Sequence, residues 1–203
     1  MVTIVDYGVG NLFSVASSLS KLGINSSFAK SADDILNASS VILPGVGAFC
    51  DARDKLRNSG MTEALLDAAK NGKPILGICL GMQLLLEKSY EFGEHDGLSL
   101  IGGSVRPISD VIPNDYKIPH IGWNALTFSE NALFKYIKNG DFVYFVHSYY
   151  CADCGENVIA TTEYGAPLTA AVQSGNVYGV QFHPEKSGDV GLNILRAFCE
   201  IKG

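Results

Sequence analysis

Cys79 is the residue best placed by its neighbours to do chemistry. It sits in Gly77-Ile78-Cys79-Leu80-Gly81, after the apolar run Lys73-Pro-Ile-Leu and before a second apolar segment ending at Leu86. A buried strand that turns sharply into a helix at a nucleophile has this form, with sulfur in place of a serine oxygen. The residues two before and two after the nucleophile crowd such a turn, and glycine at both places removes the clash. The turn leaves the sulfur at the carboxyl edge of a sheet, where open α/β sheets place their sites. The helix that starts there directs unsatisfied N–H groups and its positive dipole end at the sulfur, which favours a thiolate.

A cysteine nucleophile needs a base, and the chain has four histidines, His95, His120, His147 and His183. His183 stands out because Phe182-His183-Pro184-Glu185 ends an apolar strand. Pro184 cannot donate to a ladder, and Glu185, two residues on, can orient the imidazole. Acyl transfer also needs N–H donors for a developing oxyanion. Leu80 offers one at the helix start, and the loop Leu43-Pro-Gly-Val-Gly47, leaving the same sheet edge, offers a second. Taken alone, that loop would be no more than a turn capping the next helix.

Other motifs fail their own tests. Asp6-Tyr-Gly-Val-Gly-Asn-Leu12 follows a strand and opens a helix, but Phe13 stands where a dinucleotide fingerprint wants its third glycine and Lys30 where it wants a ribose-binding acid. No Walker A pattern occurs. Cys151-Ala-Asp-Cys154 has no second cysteine pair to complete a four-ligand zinc site, so it reads as two thiols at a strand end and turn, and no metal or cofactor is expected.

These residues need a scaffold. The first half alternates strand-like and helical runs: Thr3 to Asp6, a helix, Ser26 to Ala29, a short helix, Val41 to Leu43, two helices, then Pro74 to Ile78. That alternation predicts an α/β fold, a doubly wound, mostly parallel sheet with helices on both faces. In the first helix Leu12, Val15, Ala16, Leu19 and Leu22 make one apolar stripe, with Ser14, Ser17, Ser18 and Lys21 outside it. Phe142 to Tyr150, Val158 to Thr162, Leu168 to Gln173 and Val177 to Phe182 are closely spaced strand-like runs, read as antiparallel hairpin additions to the sheet, before a helix from Ser187 to Ile201. No linker or repeat divides residues 1–203, which are expected to form one domain.

Composition agrees. With 47% hydrophobic and 18% charged residues, the chain can bury a core. Fifteen Lys and Arg against 21 Asp and Glu, with no basic block, argue against nucleic acid. Arg53, Lys55 and Arg57 alternate with acids on a helix, and Asp51 and Lys55 are expected to pair at i,i+4. The longest apolar stretch is too short for a bilayer, the start has no leader pattern, and five scattered cysteines suit reduced thiols. A cytoplasmic protein with no membrane contact is expected.

The joint pattern resembles class I glutamine amidotransferases: Gly-x-Cys79-x-Gly-x-Gln83, the distant His183-Pro-Glu185, and the upstream Pro44-Gly loop. Within that family it is similar to the glutaminase subunits of imidazole glycerol phosphate synthase, through Asp6 to Leu12, Pro44 to Phe49, Gly93, Pro119 to Asn124, Tyr144 to Tyr149 and Gln181 to Ser187. The resemblance implies that Cys79 attacks the side-chain amide of L-glutamine and that His183, oriented by Glu185, delivers the proton to departing ammonia. It implies an oxyanion hole of the Val46 and Leu80 N–H groups, and substrate binding by Gly47, Gln83, Glu91, Ser148 and Tyr149. It further implies a heterodimer with a cyclase barrel subunit (HisF-like) that receives the ammonia in histidine biosynthesis, with Asn11, Trp123 and Lys186 toward the interface. For those three the plainer alternatives are a turn Asn, a buried Trp and a solvent Lys.

Three alternatives stand beside this expectation. A paralogue could feed ammonia to a surface-sugar synthase through the same triad. A PfpI/DJ-1-like cysteine hydrolase would usually carry His directly after the cysteine, where this chain has Leu80. A non-catalytic docking module would lose nothing on replacement of Cys79.

Overall fold

Short apolar runs and period-3.6 stripes alternate along the first half, the runs folding as strands and the stripes as helices. In the computed structural model, which describes residues 1–202, the chain runs β1 (Val2–Val5), α1 (Leu12–Lys21), β2 (Ser26–Ala29), α2 (Ala32–Leu36), β3 (Ser40–Gly45), α3 (Phe49–Asn58), α4 (Thr62–Lys70) and β4 (Ile75–Cys79). The four strands pair in parallel in the order β2-β1-β3-β4. Alternate strand residues supply two cores. Ile4, Ile42, Leu76 and Ile78 face α1 and α6 (Gly188–Cys199), meeting Val15, Leu19, Ile194 and Phe198. Val5, Val41, Leu43 and Ile75 face the other way, toward Phe49, Leu56 and Leu65 of α3 and α4. Each such aliphatic side chain, fully buried, stabilises the fold by about 1.5–3 kcal/mol.

The second half departs from the expected pattern in three places. First, the apolar segment after Cys79 is not one helix to Leu86. Helix α5 covers only Leu80–Leu84, and β5 (Leu86–Ser89) begins almost at once. The carbonyls of Leu84, Leu85 and Leu86 are taken by the N–H groups of Leu98, Leu100, Ile101 and Ser99, so tertiary hydrogen bonds end the helix. Next come β6 (His95–Asp96), β7 (Ile101–Pro107) and β8 (His120–Phe128), none of which the sequence pattern had marked.

Second, Phe142 to Tyr150 is two strands, β9 (Phe142–His147) and β10 (Tyr149–Ala152), in different sheets. β9 pairs with β8 at the edge of a nine-stranded sheet, while β10 joins a four-stranded sheet of order β10-β7-β5-β6. The chain changes sheets at Ser148, whose carbonyl accepts from Ile108 N–H at 3.0 Å. Third, β11 (Val158–Glu163) and β12 (Pro167–Ser174) are antiparallel additions as expected, but β13 (Val177–Val180) runs parallel to β4 and belongs to the central sheet. The main sheet is therefore β2-β1-β3-β4-β13-β12-β11-β8-β9. The turn between β12 and β13 is Gly175-Asn176, and Gly175 takes the positive φ of 56° that the turn demands.

Two surface expectations are corrected. Ser18 is buried, because α6 lies against α1 and widens its covered face, while Phe13 is 80% exposed. On α3 the ion pair that forms is Arg53–Asp54, at 2.7 Å, in place of Asp51–Lys55. Both partners are substantially exposed, so it adds little stability. No helix among the described residues is long and apolar enough to cross a membrane.

Candidate active site

Cys79 sits in a strained turn. Cys79 ends β4 with φ 56° and ψ −113°, a left-handed conformation a non-glycine residue adopts only when its surroundings hold it there. Gly81 lets α5 start directly beneath β3: a Cβ there would stand 1.8 Å from the Leu43 carbonyl oxygen. At Gly77 a Cβ would stand 2.7 Å from the Gly81 carbonyl. Both glycines are required, although at Gly81 the clash would be with the neighbouring strand and not with Cys79.

His183 arrives just beyond the next strand. Because β13 pairs with β4 in parallel, with Val180 opposite Ile78, the chain just beyond β13 reaches the sulfur. His183 is fixed by its N–H to the Tyr144 carbonyl, 2.9 Å, and is 2% exposed. Its Nδ1 donates to Glu185 Oε1 at 2.8 Å, and the Glu185 side chain is 2% exposed. A turn of 3₁₀ helix over Pro184–Lys186 brings that acid back under the ring. Burial alone would push the imidazole pKa down; the adjacent Cys79 sulfur and the Glu185 carboxylate more than offset it and hold it up at about 9. Cys79, His183 and Glu185 thus stand in the arrangement that a nucleophile, base and orienting acid require.

The loop proposed for the oxyanion leaves β3 beside the elbow. β3 extends through Gly45, so the free loop starts at Val46, one stage later than the sequence suggested. Val46 is 44% exposed and Gly47 has φ 92°. Tyr7, at the end of β1, donates its hydroxyl to the Pro44 carbonyl at 2.8 Å. Burial, and then the charge of Cys79, push the Tyr7 phenol pKa up, so it keeps the proton it donates.

These groups open on one cavity of about 620 Å³. Val46, Gly47, Cys79, Leu80, Gln83, Glu91, Ser148, Tyr149, His183 and Lys186 all line it, so ten of the thirteen candidate residues meet at one place. Glu185 stands behind His183. Gln83 is held by donating its Nε2 to the Tyr149 carbonyl (3.2 Å) and to Gln181 Oε1 (3.0 Å). Glu91 is buried, not a solvated loop acid, and accepts from the Phe49 N–H at the start of α3. Burial raises its carboxyl pKa, partly opposed by that bond.

Asn11 and Trp123 lie outside the cavity lining. Trp123 is 51% exposed, not buried, and its ring meets Tyr144 edge-on at 5.9 Å, while Lys186 Nζ lies 5.8 Å from the centre of the same ring. Trp123 and Lys186 therefore share a face through Tyr144. Asn11 is the N-cap of α1, which packs against the Pro184–Lys186 turn.

Sequence reasoning gave no role to Gln181, His147, Tyr7 or Phe92. Gln181 Nε2 donates to Cys79 Sγ at 3.7 Å. Its role depends on β13 lying beside β4, so no local spacing signalled it. His147 donates its Nδ1 to the Tyr149 carbonyl at 2.8 Å, and its Nε2 lies 3.0 Å from His120 Nδ1, bracing the point where the chain changes sheets. Burial, with the nearby charges of His120 and His183, pushes its pKa down to about 4, so it is neutral near pH 7. Phe92, 85% exposed with φ 53°, stands at the cavity mouth. Cys151 and Cys154, in β10 and the following turn, are buried and free; burial pushes both thiols up, Cys154 to about 12.

The chain matches the family model described as "Glutamine amidotransferase class-I" over residues 3–201. It is 50% identical over 204 residues to "Imidazole glycerol phosphate synthase subunit HisH" of Wolinella succinogenes, covering 99% of this chain and 100% of that one. It is 48% identical to the protein of the same name from Caldanaerobacter subterraneus subsp. tengcongensis, over 99% and 98% of the two chains. Among solved structures, one described as "Crystal structure of glutamine amidotransferase" aligns with TM-score 0.76 at 19% identity, over 98% of both chains. "Structure of PurLQS from Thermotoga maritima" aligns with TM-score 0.71 at 21% identity, over 98% and 96%. These two likenesses show the fold.

Proposed function

The chain belongs to the class I glutamine amidotransferases, and from that premise we propose that it is the glutaminase subunit of an imidazole glycerol phosphate synthase, with the Cys79 cavity as its glutamine site. Near 50% identity to HisH subunits over essentially the full length of both chains supports this over the surface-sugar and PfpI/DJ-1-like alternatives. The observation that carries the chemistry is the strained Cys79 at φ 56° beside a buried His183–Glu185 pair.

Glutamine enters with its α-ammonium toward the buried Glu91 and its carboxylate toward the backbone at Ser148 and Tyr149. Gln83, its nitrogen engaged by Tyr149 and Gln181, presents its oxygen to the substrate. The Cys79 thiolate attacks the side-chain carbonyl carbon. The N–H groups of Leu80 and Val46 receive the developing oxyanion; losing one such donor lowers rates on the order of 100 to 1,000-fold. Imidazolium His183 gives its proton to the amide nitrogen, ammonia leaves, and a γ-glutamyl thioester remains. Neutral His183 then takes a proton from water as the water attacks the thioester, and glutamate departs.

Ammonia is used by a cyclase barrel subunit docked on the face that carries Asn11, Trp123 and Lys186. Val46 and Gly47 are the exposed backbone next to the sulfur, so a docked partner can bias their N–H groups toward the site. Ammonia release from L-glutamine, measured for the chain alone and with a HisF-type cyclase, tests the proposal. Strong stimulation by the cyclase is expected. No turnover in either state, or stimulation by a sugar-modifying synthase alone, overturns it.

A further inference from the structure

We propose that Gln181 is a further working residue of the thiol site: it donates to the Cys79 sulfur rather than exchanging a proton with it. The inference rests on Cys79 being the nucleophile and adds a group that the Cys–His–Glu triad does not include.

Gln181 and His183 lie just beyond the end of β13, in the segment that carries the chain past Cys79. β13 and β4 are parallel neighbours with Val180 opposite Ile78, so the segment after Val180 runs beside the sulfur at the end of β4. Gln181 is completely buried, and its N–H is fixed on the Ala170 carbonyl at 2.8 Å.

The orientation of its amide is forced. The Tyr149 carbonyl can only accept, so Gln83 must turn its Nε2 toward it. The same Nε2 faces Gln181 at 3.0 Å, so Gln181 must present oxygen there. Its nitrogen is then left facing Cys79 Sγ at 3.7 Å. Flipping Gln181 would oppose two donors at Gln83 and turn an oxygen lone pair onto a sulfur that becomes negative. Gln83 thus donates both to Tyr149 and to Gln181, and Gln181 donates onward to Cys79, which ties the substrate pocket to the nucleophile.

The other titratable groups around the sulfur are His183, the Tyr7 phenol and the Cys151 thiol, and burial keeps the last two protonated. His183 must give up its proton during turnover, whereas a glutamine amide cannot. Gln181 therefore supplies a donor that persists through attack and thioester hydrolysis and fixes the rotamer from which sulfur attacks.

Two variants separate its two bonds. Gln181→Glu keeps an oxygen for Gln83 but cannot donate to sulfur when ionised; Gln181→Met removes both bonds at similar volume. Hydrogen bonds to charged groups contribute about 1.5–3 kcal/mol, so either variant is expected to lower kcat roughly 10- to 100-fold. Gln181→Met is expected to raise the KM for glutamine as well. Iodoacetamide alkylation of Cys79, which needs no glutamine, should shift its pH midpoint upward in both variants. Its failure is thus distinct from failure of the glutaminase assignment. An unshifted alkylation profile, or kcat within twofold of the parent in a folded variant, overturns the proposal. Should neither variant fold, the ¹⁵N-labelled parent decides: the Gln181 side-chain amide should shift as Cys79 is alkylated, and an unmoved resonance contradicts the donor role.

Discussion

Gly45 lies directly opposite Cys79 in the parallel β3–β4 ladder, and a Cβ on Gly45 would stand 2.7 Å from the backbone nitrogen of Gly81. The loop proposed to hold the oxyanion and the turn that bears the nucleophile are therefore one packed unit. Neither can shift without the other, which is how two segments distant in sequence keep a shared geometry.

Gly45→Ala should consequently damage activity through the elbow, although residue 45 touches no substrate. Gly81→Ala, driven against the Leu43 carbonyl at 1.8 Å, should lower the urea midpoint as well as activity. Overpacking of this kind typically destabilises by about 1–3 kcal/mol, and the backbone contact puts Gly81→Ala at or above that range. A midpoint equal to the parent's would show that the turn relaxes freely.

Tyr7→Phe removes the hydroxyl that holds the Pro44 carbonyl and leaves the rest of the ring in place. Turnover with the cyclase present should fall roughly tenfold, equivalent to one hydrogen bond of about 1.4 kcal/mol, while glutamine KM changes little. Steady-state kinetics on the two proteins decide it; an unchanged kcat would free the loop from dependence on Tyr7.

The His183 imidazole is held at about 9 against an ordinary 6.5. The folded state thus binds this proton more tightly than the unfolded state. The resulting stabilisation is complete below about pH 6.5 and is lost as pH rises through about 9, amounting to roughly 3 kcal/mol as an upper figure. Denaturation midpoints between those limits should fall with pH. In Cys79→Ala, which removes the sulfur that helps hold the proton, the fall should be shallower, and an equal slope would refute the coupling.

Glu91 has a raised carboxyl pKa through burial, so it loses its charge on acidification before an exposed glutamate does. If that charge binds the substrate ammonium, glutamine KM should climb as pH falls, with kcat less affected. Glu91→Gln should raise KM roughly 10- to 100-fold, as loss of a charged hydrogen bond implies, and flatten its pH dependence. A parallel pH profile in the variant would remove Glu91 from the ammonium site.

Much of this site was legible in the sequence because its grammar is local. Gly77, Cys79 and Gly81 lie within one strand-to-helix turn, and His183 and Glu185 within another, so residue spacing pointed to that trio, whereas Gly47, Gln83, Glu91, Ser148 and Tyr149 came only from the family resemblance. The alternating first half was legible for the same reason. What escaped was set by contacts between distant segments. Backbone donors at Leu98, Leu100 and Ile101 end α5 early, and the switch at Ser148 splits one apolar run between two sheets. Gln181 and Tyr7 acquire roles only when β13 and β1 are laid beside β4 and β3, which no local period reveals.

The central claim is a covalent one, and rapid acid quenching during L-glutamine turnover with the cyclase tests it most directly. Mass spectrometry of the digested chain should find one γ-glutamyl group on the Cys79 peptide, lost in Cys79→Ala along with ammonia release. A γ-glutamyl group on another residue, or undiminished ammonia release from Cys79→Ala, would contradict the account.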